Sequence, residues 1–151
     1  MTGANHVLTG AVIGAVIKEP VVAIPLAFAS HFALDSLPHF GFSSWEQRTK
    51  YKRLLEIVLL IDGIMLAAVI SVLLNASVNW LIVVCAFAAV SPDLVWVYRY
   101  IVPEKFGKLK PSDGNRFTQF HKNIQKREFP RGFIIEYIAF VTLLTAIIKL
   151  V

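Results

Sequence analysis

The stretch His31-Phe-Ala-Leu-Asp35-Ser-Leu-Pro-His39 closes a long apolar run that begins at Val21. Residues four apart lie on one face of a helix, so the spacing predicts that His31 and Asp35 stack at the end of a helix. Pro38 cannot continue that helix and leaves His39 just beyond its end. An aspartate at mid-membrane depth costs about 2.5–3.5 kcal/mol. Because these groups are expensive to keep on an apolar segment, we interpret them as a candidate site.

The composition indicates an integral membrane protein. Of the 151 residues, 56% are hydrophobic and 17% are charged, whereas soluble domains average about 25% charged. The charges cluster, and the apolar runs between the clusters approach or exceed the roughly 20 residues that a membrane-spanning helix needs. The sequence therefore predicts an all-α integral membrane protein, a single membrane domain over 1–151 with about five transmembrane helices.

The apolar runs set the predicted helix bounds. We expect helices over about 4–18, 20–37, 54–74, 80–102 and 132–150, the first two forming a short helical hairpin. Gly10 and Gly14 form a G-x-x-x-G pattern, which is typical of a face where two membrane helices pack closely. A bundle this thin is compatible with a homodimer.

The basic residues predict the orientation in the membrane. Thirteen of the fifteen lysines and arginines fall in or beside the 38–53 and 103–131 segments. Positively charged loops stay in the cytoplasm, so the N-terminus is predicted to be cytoplasmic and the C-terminus outside. Anionic lipid headgroups explain this charge better than nucleic acid does. Membrane lipid, and no nucleic acid, is therefore the expected partner.

Four ionisable side chains are predicted to converge on the cytoplasmic half of the bundle. Neutral imidazole and carboxylate groups ligate Zn²⁺, and also Mn²⁺ or Fe²⁺. Structural alternatives remain. A histidine can join two helices by a hydrogen bond, and a histidine and an aspartate can hydrogen-bond to each other without a metal. The candidate metal ligands, with zinc as the preferred ion, are His6, His31, Asp35 and Asp93.

Other polar residues on the same side have secondary predicted roles. Asp62 and His39 are candidates for a further ligand or a general base. Arg53 and Arg99 are candidates for binding a substrate phosphate.

Two further ionisable residues are predicted to lie outside the metal site. His121 lies in a basic segment and is expected to be a solvated surface residue. Glu136 is expected to pair with Arg99 or Arg131 rather than bind metal.

Three short motifs resemble those of a known family. Ser30-His31-Phe-Ala-Leu-Asp35 resembles the Ser-His-(apolar)₃-Asp motif of the bacterial and archaeal membrane-bound metal-dependent hydrolases. Asn5-His6-x-x-x-Gly10 is similar to the N-terminal histidine of that family, and Ser91-Pro92-Asp93 to its Pro-Asp element. The family's His-Arg-Gly-x-Thr-His-Ser element has no counterpart in this chain. The resemblance implies that His6, His31, Asp35 and Asp93 bind metal.

These patterns predict a membrane-embedded metal-dependent hydrolase. The expected reaction is hydrolysis of a lipid phosphoester at the cytoplasmic leaflet through a metal-activated water. Two alternatives stay open: a transporter of a metal ion or protons that uses the same histidine and aspartate cluster, and a non-catalytic membrane scaffold. The outer half of the predicted bundle has few polar residues, which disfavours transport.

Overall fold

The regular secondary structure is helical throughout the residues that this computed structural model describes, which are 1–42, 45–76, 78–95 and 116–151. This confirms the predicted all-α class. Three short 3₁₀ turns accompany the helices, at Ser91–Asp93, Gln125–Arg127 and Pro130–Gly132. The helices are α1 (Gly3–Val16), α2 (Pro20–Asp35), α3 (Trp45–Lys50), α4 (Lys52–Asn75), α5 (Trp80–Val90), α6 (Arg116–Ile124) and α7 (Phe133–Leu150).

Local sequence explains most helix ends. Pro20 begins α2, where its missing N–H is not needed. The side chain of Asn79 accepts a hydrogen bond from the Leu81 amide at 2.9 Å and caps the start of α5. The last residue of α2 is Asp35, which is two residues short of the predicted end at 37 and three residues before Pro38. The predicted end of the fourth helix, at 102, lies outside the described residues.

Two helical segments are long and apolar enough to cross a membrane, Lys52–Asn75 and Pro130–Leu150. The other apolar helices are shorter. α1 has 14 residues and α2 has 16, so their lengths are about 21 and 24 Å, below the roughly 30 Å of a hydrocarbon core. The structure therefore supports two helices of membrane-spanning length and gives no support to the predicted count of about five spans.

Helix α1 lies at the centre and packs against α2, α4, α5 and α7. A Cβ atom built on Gly10 would overlap the carbonyl oxygen of Cys85, and one on Gly14 would lie 2.8 Å from the Ile82 Cα. Both glycines are therefore needed for the close approach of α1 and α5, which confirms the predicted packing face. Cys85 is a buried free thiol at this contact.

Helices α4 and α7 lie on the outside and turn apolar side chains away from the other helices. Only Leu73 of α4 is buried, and in α7 only Glu136 and Ile147 are. Outward-facing residues include Leu60 and Tyr137, which are 65% and 69% exposed. A soluble monomer rarely exposes a continuous apolar surface of this kind.

The contact between α1 and α5 gives a first prediction. We expect Gly10→Ala to lower the free energy of unfolding in detergent by about 1–3 kcal/mol, because the new methyl group must push the two helices apart. Gly63→Ala is the matched control, since its Cβ would meet no atom within 4 Å, and it should stabilise α4 by up to about 1 kcal/mol. Equal unfolding temperatures for the two variants would contradict the packing described here.

Candidate metal centre

The carboxylate of Asp35, at the end of α2, is fully buried and is surrounded by histidines. His31 lies one helical turn earlier, with its Nε2 3.3 Å from Asp35 Oδ2, as the spacing predicts. His121 of α6 places its Nε2 2.9 Å from the same oxygen. His6 of α1 places its Nε2 3.1 Å from Asp35 Oδ1. Three helices thus bring imidazole nitrogens to one carboxylate.

Asp93 brings a second carboxylate to the same place. Pro92 lacks an amide hydrogen, and the chain after α5 tightens into the 3₁₀ turn that ends at Asp93. Asp93 Oδ1 lies 3.7 Å from His31 Nε2 and 3.8 Å from His121 Nε2. The Asp93 side chain is 24% exposed, so this ligand lies on the open side of the cluster.

Four of these residues lie close enough together that they could hold a single divalent ion. One donor atom from each of His31, Asp35, Asp93 and His121 lies within 4.8 Å of the others. A tetrahedral zinc ion with ligands at 2.0–2.2 Å separates its donor atoms by about 3.4 Å. The distances given above between donors range from 2.9 to 3.8 Å. We call these four residues the donor group.

The hydrogen bonding of His31 also fits a metal ligand. Its Nδ1 lies 2.9 Å from the carbonyl oxygen of Ala89, so Nδ1 carries the hydrogen and donates it. A neutral His31 then turns the lone pair of Nε2 toward Asp35 Oδ2, another electron-rich atom. Ligating histidines commonly donate their other N–H to a backbone carbonyl in this way.

The contact between His31 and His121 supports the same conclusion. Their Nε2 atoms are 2.9 Å apart, and His121 Nε2 is equally close to Asp35 Oδ2. A single hydrogen on His121 Nε2 cannot point at both neighbours. A cation shared by the three atoms would satisfy their lone pairs together.

The prediction that His121 is a solvated surface residue was wrong. It is 1% exposed and lies in the donor group. The ring of Phe32 contacts it with centroids 5.8 Å apart. Gln125 was also missed, although it donates a hydrogen bond to Asp35 Oδ2 at 2.9 Å. The available signal was the four-residue spacing between His121 and Gln125, which repeats that of His31 and Asp35.

Asp62 and His39 have other partners. Asp62 accepts hydrogen bonds from the amides of Gly3 at 2.8 Å and Ala4 at 3.1 Å, and so satisfies the start of α1. His39 is buried, and its Nδ1 donates to the Leu37 carbonyl at 2.7 Å. Neither side chain makes an ion pair or hydrogen bond with the donor group within the described ranges. Their hydrogen bonds give each a structural role, and the predicted role of each as a base or additional ligand stays a prediction.

None of the remaining predicted residues that the structure describes hydrogen-bonds or forms an ion pair with the donor group. Arg53 is exposed in the first turn of α4, and Arg99 falls outside the described residues. Glu136 is buried while Arg131 is exposed, and the predicted ion pair between them does not form.

The segment after α6 hydrogen-bonds and packs against the segment after α2. This contact fixes the position of α6 and therefore of His121. The amide of Phe129 donates to the His39 carbonyl at 3.0 Å. Arg48 forms an ion pair with Glu128 at 2.8 Å. Burial raises the pKa of Glu128, and the nearby Arg48 opposes that rise. A Cβ on Gly132 would overlap the backbone of His39, so these two segments can meet only at a glycine.

Comparison with known proteins adds no assignment to this centre. No protein-family model, no curated protein and no solved structure matches the chain. The interpretation of the centre therefore depends on its donor atoms and their geometry.

The placement of His121 gives a second prediction. We expect His121→Ala to weaken zinc binding by more than the roughly 10–100-fold loss that is typical of second-shell changes, because it removes one of four donors. Asn123→Ala is the control, since Asn123 is exposed on the same helix. The measurement is a competition titration in detergent against a chelating dye. Equal zinc affinity for wild type and His121→Ala would remove His121 from the site.

Proposed function

We propose that this protein is a membrane-embedded metal-dependent hydrolase that cleaves a phosphoester of a lipid. The observation that carries the proposal is the donor group, in which His31, Asp35 and His121 are buried and Asp93 is partly open. Zinc is the preferred ion, with manganese or iron as alternatives. The resemblance of the motifs around His6, His31 and Asp93 to membrane-bound metal-dependent hydrolases supports the same reading.

The apolar outer surface supports a location in the membrane. The outward faces of α4 and α7 would be unstable in water and fit hydrocarbon. In the bilayer the helical backbone is satisfied internally, so only side chains meet the lipid. The exposed large apolar residues of these helices include Leu54, Ile57, Leu59, Leu60, Ile61, Ile64, Val72, Leu74, Phe133, Ile134, Ile138, Val141, Ile148 and Leu150.

The residues of the centre have two roles: some would bind the ion directly, and others orient the ligands. A bound divalent ion activates a coordinated water at neutral pH and stabilises charge on phosphoryl oxygens. His31, Asp35 and His121 hold it from the buried side. The Ala89 carbonyl fixes the His31 ring, and Gln125 orients the Asp35 carboxylate. The open side, next to Asp93, is where substrate and water can enter.

Aromatic side chains beside the centre favour a lipid substrate. Phe32 contacts His121 and also Phe117 and Phe120, with ring centroids 6.1 and 5.4 Å apart. Phe28 packs on Phe32 at 5.5 Å. Phe28 and Phe120 are both exposed, so they present an apolar surface next to the donor group. Acyl or isoprenyl chains match this surface better than a water-soluble alcohol does.

The charge distribution supports an orientation with the centre at the cytoplasmic leaflet. Lysines and arginines concentrate in two segments of the sequence, 38–53, which follows Asp35, and 103–131, which contains His121. We expect a reporter fused after Val151 to score as external and one inserted in the 38–53 segment to score as cytoplasmic. The opposite pattern would move the centre to the outer leaflet.

The proposed activity is tested by hydrolysis assays in liposomes on phospholipids, isoprenyl phosphates and water-soluble esters. We expect zinc-loaded wild type to cleave a lipid phosphoester and His31→Ala to fall to the rate without protein, because the ligand is lost. Ser36→Ala is the control, since Ser36 is exposed at the end of α2 and should keep full activity. Circular dichroism verifies that all three proteins are folded.

One outcome of these assays would contradict the proposed hydrolysis. Background rates for wild type on every substrate, with zinc bound, would reject catalysis and leave transport or a structural metal.

A further inference from the structure

In both carboxylates of the centre, one oxygen faces His31 and His121 and the other oxygen faces His6. Asp35 turns Oδ2 toward His31 and His121, and Oδ1 toward His6 at 3.1 Å. Asp93 does the same, with Oδ1 toward His31 and His121 and Oδ2 3.9 Å from His6 Nε2. The donor group accounts for one oxygen of each carboxylate. The other oxygen of each faces His6.

We infer that the centre binds a second divalent ion, held by His6 Nε2, Asp35 Oδ1 and Asp93 Oδ2. This inference rests on the proposed hydrolase and deepens it, because Asp35 and Asp93 then bridge two ions. Three protein ligands with an open position are typical of a catalytic rather than a structural metal site. Bridged pairs of ions are used by phosphatases and nucleases to stabilise the attacking and leaving oxygens.

The position of His6 is the first argument for this ion. His6 is fully buried, and the only hydrogen bond that its ring makes among the described residues joins Nε2 to Asp35 Oδ1. Its ring stacks on His31 with centroids 4.0 Å apart and planes inclined by 24°. Its Nε2 therefore faces Asp35 Oδ1 and Asp93 Oδ2, which are the carboxylate oxygens turned away from His31 and His121.

The charge of the site is the second argument. The α-ammonium group of Met1 already lies 2.5 Å from Asp35 Oδ1, so the second ion takes this oxygen by displacing one cation with another. Two carboxylates neutralise one divalent ion, and a second ion leaves the centre positive. A phosphoester anion supplies the charge that balances it. A centre with two ions is therefore expected to bind phosphate-containing substrates in preference to uncharged ones.

The experiment counts metal ions per folded chain. Wild type, His6→Gln and His39→Gln are dialysed against Mn²⁺ in detergent and analysed by mass spectrometry and electron paramagnetic resonance. We expect two ions in wild type with the spectrum of an exchange-coupled pair, and one ion in His6→Gln with the spectrum of an isolated Mn²⁺. His39→Gln removes a buried histidine outside the centre and should keep two coupled ions.

The possible outcomes separate this inference from the proposed function. One uncoupled ion in wild type, retained in His6→Gln and lost in His31→Ala, would overturn the second site and leave the hydrolase proposal standing. No bound ion in wild type would overturn both. If His6→Gln does not fold, the wild-type spectrum decides alone, because an uncoupled signal contradicts bridging carboxylates.

Discussion

The buried negative charge of Asp35 is the constraint on which the rest of this structure depends. A carboxylate with no exposed surface is costly by several kcal/mol unless compensating groups surround it. Its partners come from segments far apart in the sequence: His6 of α1, His31 of its own helix, and His121 and Gln125 around α6. The relative positions of these helices follow from the need to satisfy one side chain.

Small residues allow the surrounding helices to come close enough. Gly10 and Gly14 bring α1 against α5, and this contact places His6 beside Asp93 at the end of α5. Gly132 lets the chain after α6 meet the backbone of His39. Each of these glycines lies at a contact where a methyl group would collide with backbone. The packing of the bundle and the geometry of the centre are therefore set by the same few positions.

The parts of the site that the sequence predicted are those with a local pattern. The four-residue spacing joins His31 to Asp35, and the Ser-Pro-Asp motif marked Asp93 as a candidate ligand. The helix bounds there were wrong, because α5 ends at Val90 and a 3₁₀ turn follows inside the predicted 80–102 helix. His121 was missed because its partners are 86 and 90 residues away and because Lys122 and Lys126 follow it closely in the sequence. Asp62 looked like a buried acid in an apolar helix. Its actual role, capping α1 from 58 and 59 residues away, leaves no trace in local sequence.

The central claim is that nitrogen and oxygen donors of this cluster bind a metal ion, and X-ray absorption at the zinc edge tests it most directly. For zinc-loaded wild type we predict a first shell of nitrogen and oxygen only, at about 2.0–2.2 Å, with the outer-shell scattering of imidazole rings. No sulfur is expected, because Cys85 is buried in the contact between α1 and α5. A sulfur ligand, or a zinc shell without imidazole, would contradict the account.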